Sequence, residues 1–256
     1  MKGFGKLINV VALSVLVFGC QKADLLTNAE SKASTATPVT NTPSIKPSTT
    51  AEKKATPPKN NAKSEPKNGA ELVDIQTINP HIVLDIRYAT ENNFMKRNVY
   101  GVARCVLRRE VAEKLSQVQA DLEKQQLGLK VYDCYRPLAV QKVMWQIVSA
   151  RPYVANPARG SKHNRGAAVD LTLVDSNGQE LEMPTEFDNF TFRAHRNYQG
   201  ASREAKKNRS LLEEAMKNRG FIPLSKEWWH FDAVGWQKFE IMDVPLESIP
   251  ALEQQQ

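Results

Sequence analysis

Hydrophobic residues fall along this chain in three regimes. Residues 7–19 form an unbroken run of apolar or small residues. Residues 21–69 hold no Phe, Tyr or Trp and six prolines, set among Ser, Thr, Asn, Ala and Lys. From residue 70 the pattern becomes periodic, and all four Trp and all six Tyr lie beyond that point. Residues 72–75 and 82–88 read as strands, and residues 92–101 as a loop. Val111, Leu115, Val118 and Leu122 recur at helical spacing, so a helix runs from near Arg108 to near Gly128. Residues 129–135 read as a strand stopped by Arg136-Pro137, and residues 138–150 as a second helix with Met144, Ile147 and Val148 inward. Residues 151–166 are loop, 168–174 strand and 175–178 a turn. Ser202 caps a third helix whose apolar face includes Leu211, Leu212, Ala215 and Met216, closed by Gly220. Residues 221–222 and 228–231 are short strand candidates. Helices and strands mix without βαβ alternation. The expectation is one α+β domain over residues 70–256, with a small, mostly antiparallel sheet and flanking helices.

The first two regimes deliver that domain rather than extend it. Lys2 and Lys6 precede an apolar run too short to span a bilayer, which predicts a signal peptide over residues 1–19. The run ends Val17-Phe18-Gly19-Cys20, which resembles a bacterial lipobox and implies lipidation of Cys20 and membrane attachment through that lipid. Gln21 follows where an inner-membrane lipoprotein would carry Asp. Resemblance to Gram-negative lipoproteins therefore implies a periplasm-facing protein of the outer membrane. Residues 20–69 cannot bury enough apolar surface to offset their ordering entropy and read as a disordered tether. Such a chain spans on the order of 40 Å.

Charge sharpens the division. Residues 1–69 carry ten Lys and four acids, a net of +6, whereas residues 70–256 carry 25 basic and 24 acidic residues, a net of +1. The basic balance belongs to the tether, so it gives the domain no case for binding nucleic acid. Cys105 and Cys134 would meet an oxidising compartment behind a signal peptide. A disulfide between them would tie the start of the first helix to the strand leading to Arg136, with two free buried thiols as the alternative.

Candidate chemistry gathers around two stretches. His163 precedes Asp170 by seven residues, and Glu227 precedes His230 by three. Along the strand, Asp170 shares a face with Thr172 and Val174, and an acid within an apolar strand is costly unless paired or metal-bound. Two imidazoles and one carboxylate suit Zn²⁺ with an open fourth position, and a second carboxylate can serve as base. Spacing alone leaves open whether Asp170 or Glu227 is the ligand. Arg136, at a strand end and fixed by Pro137, offers rigid charged donors for an oxyanion. His81 and His195 fit no such pattern, and His195, in the basic polar loop 193–196, reads as solvated.

Ser161-x-His163-x6-Asp170, Glu227-x-x-His230 and Asp133-Cys134-Tyr135-Arg136-Pro137 together resemble the zinc D-Ala-D-Ala dipeptidases of the vancomycin-resistance type. Asp85-Ile86-Arg87-Tyr88-Ala89-Thr90 with Asn93-Phe94 is similar to that family's N-terminal signature, so the likeness runs from about residue 72 to 245. The resemblance implies a cleft in which one Zn²⁺ is held by His163, Asp170 and His230. It implies Glu227 as general base and then acid, and Arg136 facing the scissile carbonyl. It also implies Ser161 and Tyr88 as substrate contacts, with Asp188 of Phe187-Asp188 meeting the ammonium of a D-Ala-D-Ala substrate. The implied activity is hydrolysis of that dipeptide, linked in an envelope setting to peptidoglycan turnover. The alternatives are a D,D- or L,D-carboxypeptidase acting on muropeptide stems and a non-catalytic wall-binding lipoprotein.

Overall fold

The computed structural model describes residues 69–147 and 153–250. The expected signal peptide, Cys20 and nearly all of the expected tether lie outside the described residues. Among the described residues no helix is long and apolar enough to cross a membrane.

Among the described residues, seven strands and four α-helices appear in the order β1 (Leu72–Asp74), α1 (Ile75–Ile78), β2 (Val83–Leu84), β3 (Val106–Arg108), α2 (Arg109–Glu123), β4 (Leu127–Asp133), α3 (Leu138–Ile147), β5 (Ala168–Asp175), α4 (Arg203–Asn218), β6 (Phe221–Pro223) and β7 (His230–Ala233). β1 and β3 form an antiparallel pair. The other five strands form one sheet in the order β2-β4-β5-β7-β6, antiparallel throughout except for β2 beside β4. The fold is thus α+β with a mostly antiparallel sheet, as the mixed pattern predicts.

Several expected boundaries move. The strand expected over residues 82–88 shortens to Val83–Leu84, because the chain turns into a 3₁₀ turn at Arg87–Ala89 that buries Tyr88. Residues 106–108, expected as entry to a helix, instead pair with β1. α2 stops at Glu123, and Gly128 falls inside β4. The last strand begins at His230, two residues later than expected. Ser202 does cap α4, its hydroxyl accepting from the Ala205 amide at 2.9 Å.

β5 sits at the centre of the sheet and is buried on both faces along nearly its whole length. Val169, Leu171 and Leu173 are wholly buried in the core that also holds Leu115, Leu122, Leu212 and Met216 of α2 and α4. Burying such side chains is worth about 1.5–3 kcal/mol each, so the register of β5 is firmly set. That register puts Asp170 on the other face, opposite His230 of β7 on one side and Asp133 of β4 on the other. The match to Asp133 needs one extra residue in β4. Val131 pairs with Leu171 and Asp133 with Asp170, so Tyr132 bulges out and re-aims the strand's end. Cys105 and Cys134 are joined by a disulfide next to that end.

Candidate metal centre

His163 enters from a tight loop rather than a strand. Residues 163–165 form a 3₁₀ turn that ends at Gly166 in left-handed backbone, φ 66°. A side chain there would be strained and would press on Leu72 and the Arg108 backbone. The wholly buried Asn164 fastens the loop. Its side-chain oxygen accepts from the Ser161 amide at 2.6 Å, and its side-chain nitrogen donates to the Arg136 carbonyl at 2.8 Å. The Arg136 amide in turn donates to the His163 carbonyl at 3.1 Å. The histidine loop and the arginine are therefore one hydrogen-bonded piece.

The three expected ligands converge. His163 Nε2 lies 3.1 Å from His230 Nδ1, and Asp170 Oδ1 lies 3.4 Å from the first and 2.9 Å from the second. They form the one group of this kind among the described residues, and all three are buried. Four-coordinate zinc, with bonds near 2.0–2.1 Å, would place neighbouring ligand atoms about 3.3 Å apart. The outer partners fix what these atoms are. His163 Nδ1 sits 2.7 Å from the Cys134 carbonyl, and His230 Nε2 sits 2.8 Å from Asp232 Oδ1. Both oxygens can only accept, so both of these nitrogens carry the ring proton. The inward nitrogens are then lone pairs facing each other and a carboxylate, an arrangement that repels itself unless a cation lies between. The residues fit a divalent metal.

The local electrostatics point the same way. Burial opposes charge on His230, but its bonds to Asp170 and Asp232 push its pKa up to about 10. Burial likewise opposes charge on Asp170, yet His163 and His230 hold it well below the carboxylate range. Without metal, a proton on the His230 imidazole supplies the positive charge that Asp170 and Asp232 favour.

Glu227 lies in the turn between β6 and β7, with Oε2 4.0 Å from His230 Nδ1. That leaves it beside the cluster but outside it. Burial is the chief reason its pKa rises to about 7. His230 pulls the other way, and Asp170 reinforces the rise. Arg136 is locked from behind. Its Nε and Nη2 donate to Asp133 Oδ2 at 3.1 and 2.5 Å, and Nη1 donates to Gln141 Oε1 at 2.8 Å. Asp133, wholly buried, also accepts from Tyr100 at 2.6 Å. The guanidinium stands over the Tyr88 ring, 5.2 Å from its centroid.

Tyr88 connects this end of the cleft to the other. Its hydroxyl donates to Asp188 Oδ1 at 3.0 Å. Asp188 adopts φ 59°, an uncommon backbone for a residue with a side chain. Burial first, and the Asp170 carboxylate second, push its pKa up to about 8. Tyr88, Arg136, Ser161, His163, Asp170, Asp188, Glu227 and His230 all line one cleft of about 120 Å³. Phe94, Tyr153, Phe190 and Trp229 wall it with aromatic surface.

Sequence reasoning missed the supporting carboxylates. Asp232 stands two residues after His230 on the same strand, so the period of two could have found it. Asp133 could not be found so, because its aim depends on the bulge at Tyr132. Nor is His195 simply solvated, since its Nε2 lies 3.2 Å from the Tyr153 hydroxyl at the cleft wall.

A buried His–Asp–His cluster with an adjacent carboxylate and an anchored arginine lining one small cleft defines a metal-dependent hydrolase site. The peptidase M15 model, described as D-Ala-D-Ala dipeptidase, matches residues 68–244. The D-alanyl-D-alanine dipeptidase of Escherichia coli K12 is 36% identical over 162 residues, covering 63% of this chain and 84% of that protein. The enzyme of the same name from Enterococcus faecium is 32% identical over 171 residues, with 57% and 83% covered. That from Enterococcus faecalis is 30% identical over 174 residues, with 59% and 85% covered. The chain belongs to the D-Ala-D-Ala dipeptidase family of metallopeptidases.

Proposed function

We propose that this protein is a zinc dipeptidase that cleaves free D-Ala-D-Ala in the cell envelope, where cell-wall turnover releases such dipeptides. The observation that carries this reading is Asp188. It places a carboxylate in the same small cleft as the metal cluster, held by Tyr88, whose ring also meets Arg136. A carboxylate there would recognise a free ammonium and select against a longer peptide, which carries none at that position.

His163, Asp170 and His230 would hold the zinc, which lowers the pKa of water to near ~7 and polarises a carbonyl. Glu227 takes the proton from the attacking water and returns it to the departing amine. Its raised pKa of about 7 suits both directions of transfer. Arg136 directs fixed donors at the oxyanion, and its locking by Asp133 and Gln141 means no reorganisation is needed as charge develops. Ser161 lines the cleft beside His163 and supplies a hydroxyl to the substrate.

The location follows from residues 1–69. Lipid on Cys20 would hold the protein at the outer membrane facing the periplasm. A Cys20→Ser variant should leave the membrane fraction, and recovery of the wild-type protein only from cytosol overturns this placement.

Activity is tested by incubating the zinc-loaded protein with free D-Ala-D-Ala or with a pentapeptide stem ending in D-Ala-D-Ala, Glu227→Ala serving as control. Alanine should appear from the dipeptide alone. Release from the stem alone would make the protein a carboxypeptidase, and release from neither would make it a wall-binding lipoprotein.

A further inference from the structure

The turn that carries Glu227 has few restraints of its own. Between β6 and β7 it closes with the Glu227 amide donating to the Leu224 carbonyl at 3.3 Å and the Leu224 amide to the His230 carbonyl at 3.2 Å, both long bonds. What holds it comes from elsewhere in the chain. The Arg196 side chain reaches across and donates from Nε to the Leu224 carbonyl and from Nη2 to the His230 carbonyl, both at 2.9 Å. One planar fork thus grips the first and last carbonyls of the turn. The backbone adds three more ties, from the Arg196 amide to the Ser225 carbonyl at 3.0 Å, from the Trp228 amide to the Ala194 carbonyl at 3.1 Å and from the Leu171 amide to the Trp229 carbonyl at 3.1 Å. Trp228 Nε1 also donates to the Thr185 hydroxyl at 2.9 Å, but among the described residues Arg196 is the one side chain that bonds to the backbone at both ends of the turn. The guanidinium packs over the Phe231 ring, 4.3 Å from its centroid, and Nη1 donates to Glu213 Oε2 at 3.3 Å.

We infer that Arg196 is a positioning residue for Glu227, a brace that fixes the general base at its distance from the metal cluster. The inference rests on the proposed role of Glu227. A partly buried ion pair with Glu213 is the ordinary alternative, but it leaves unexplained why the fork spends two of its donors on backbone carbonyls that flank the base. Arg196 also lies eight residues after Asp188 in the same connecting segment. The segment that would read the substrate's ammonium therefore also steadies the base, although the two act at opposite ends of the cleft.

The test is a double-mutant cycle on the zinc-loaded protein. Arg196→Met should lower kcat by about 10- to 100-fold with KM nearly unchanged, as expected when a catalytic group drifts by about an ångström. In a Glu227→Gln background the same change should cost little more, since the group it positions is already gone. Arg196→Lys, which keeps the charge but not the fork, should recover only part of kcat. Glu213→Gln should leave kcat near wild type. Metal affinity, measured by chelator competition, should stay within a few-fold of wild type in every variant. Full additivity with Glu227→Gln, or loss of metal affinity in Arg196→Met, would overturn the inference. Amide exchange gives a reading that needs no activity. Peptides covering residues 224–230 should exchange faster in Arg196→Met while those covering β4 and β5 do not. Unchanged exchange there would overturn the inference even if the protein cleaves no dipeptide.

Discussion

The two ends of the cleft are made from different kinds of chain. At the metal end, Asp133, Asp170 and His230 sit side by side on three adjacent strands, their register fixed by core residues on the opposite face. Each inward atom has an outer partner that sets its protonation: Cys134 for His163, Asp232 for His230. At the substrate end, Asp188, Phe190 and Tyr153 come from connecting segments, and Asp188 holds a left-handed backbone. A sheet cannot shift one residue without turning its side chains over, whereas a loop can change without disturbing the core. The difference teaches that strand register fixes two of the three metal ligands, Asp170 and His230, while turns beside the sheet bring His163, Arg136 and Glu227 to them and the longer loops decide what enters.

The comparison breaks most severely if the base is removed from an otherwise intact metal end. Glu227→Gln should lower kcat by about 10²- to 10⁴-fold while metal affinity and substrate KM hold, as steady-state kinetics and chelator competition can show. Glu227 must be deprotonated to accept a proton. With its pKa raised to about 7, kcat/KM should fall as pH drops below that value, and a bound dication can only move this limb lower. An acid limb that survives in Glu227→Gln would assign it to another group.

Arg136 tests whether anchoring and chemistry can be separated. Arg136→Lys should cost about 10²- to 10³-fold in kcat, because an ammonium cannot present the same fork to the oxyanion. Arg136→Met also strands the wholly buried Asp133 beside Tyr100 without its cation. Denaturant unfolding of the metal-free protein should then show a loss of about 3–5 kcal/mol. If Met is as inactive as Lys but no less stable, Asp133 has another partner in solution.

How much of this was legible depended on what each residue answers to. His163, Asp170, Glu227 and His230 stand at short offsets within a strand or turn, so local spacing, joined to a family likeness, could single them out. The central strand and the long helices follow from hydrophobic period and were readable for the same reason. Residues 82–88 misled because an alternating run reads as a strand even where burial of Tyr88 bends the chain into a 3₁₀ turn. Val106–Arg108 misled because a three-residue strand leading straight into α2 has no turn to announce it. Asp133 and Arg196 were opaque for a deeper reason. One depends on a bulge and the other on backbone carbonyls 28 and 34 residues away, and neither leaves a periodic trace.

Asp232 probes the outer layer of the metal end, where a smaller effect is expected. Asp232→Ala removes the acceptor that fixes His230 Nε2–H, freeing the ring to turn and lowering its basicity. Metal affinity should weaken by about 10- to 100-fold by chelator competition, with kcat at saturating metal much less affected. A change in kcat alone would mean that Asp232 acts on the reaction and not on the ligand.

Asp188 sharpens the contrast from the loop end, with the smallest effect on turnover. Its Asn variant should raise KM for the dipeptide about tenfold, the loss of one charge-assisted contact, and should leave saturated turnover closer to wild type. Stability should move the other way. In the metal-free protein the folded-state pKa of about 8 lies above the ordinary carboxylate value, so the folded form binds the extra proton more tightly than the unfolded one. The stability this gives is fully present below about pH 4 and is lost as pH rises through about 8. Asp188→Asn cannot ionise and escapes that loss. Its Tm should exceed wild type by about 2–4 °C above pH 8, with the gap closing as pH falls. Asp170 is the counter-case in the same cleft, a carboxylate whose charge His163 and His230 welcome even without metal. Its pKa is depressed, so its stability is present above the ordinary carboxylate range and lost only in strong acid. Opposite pH trends for Asp188→Asn and Asp170→Asn would show that the strands stabilise a charge in the empty protein while the loop waits for the substrate's ammonium to do so.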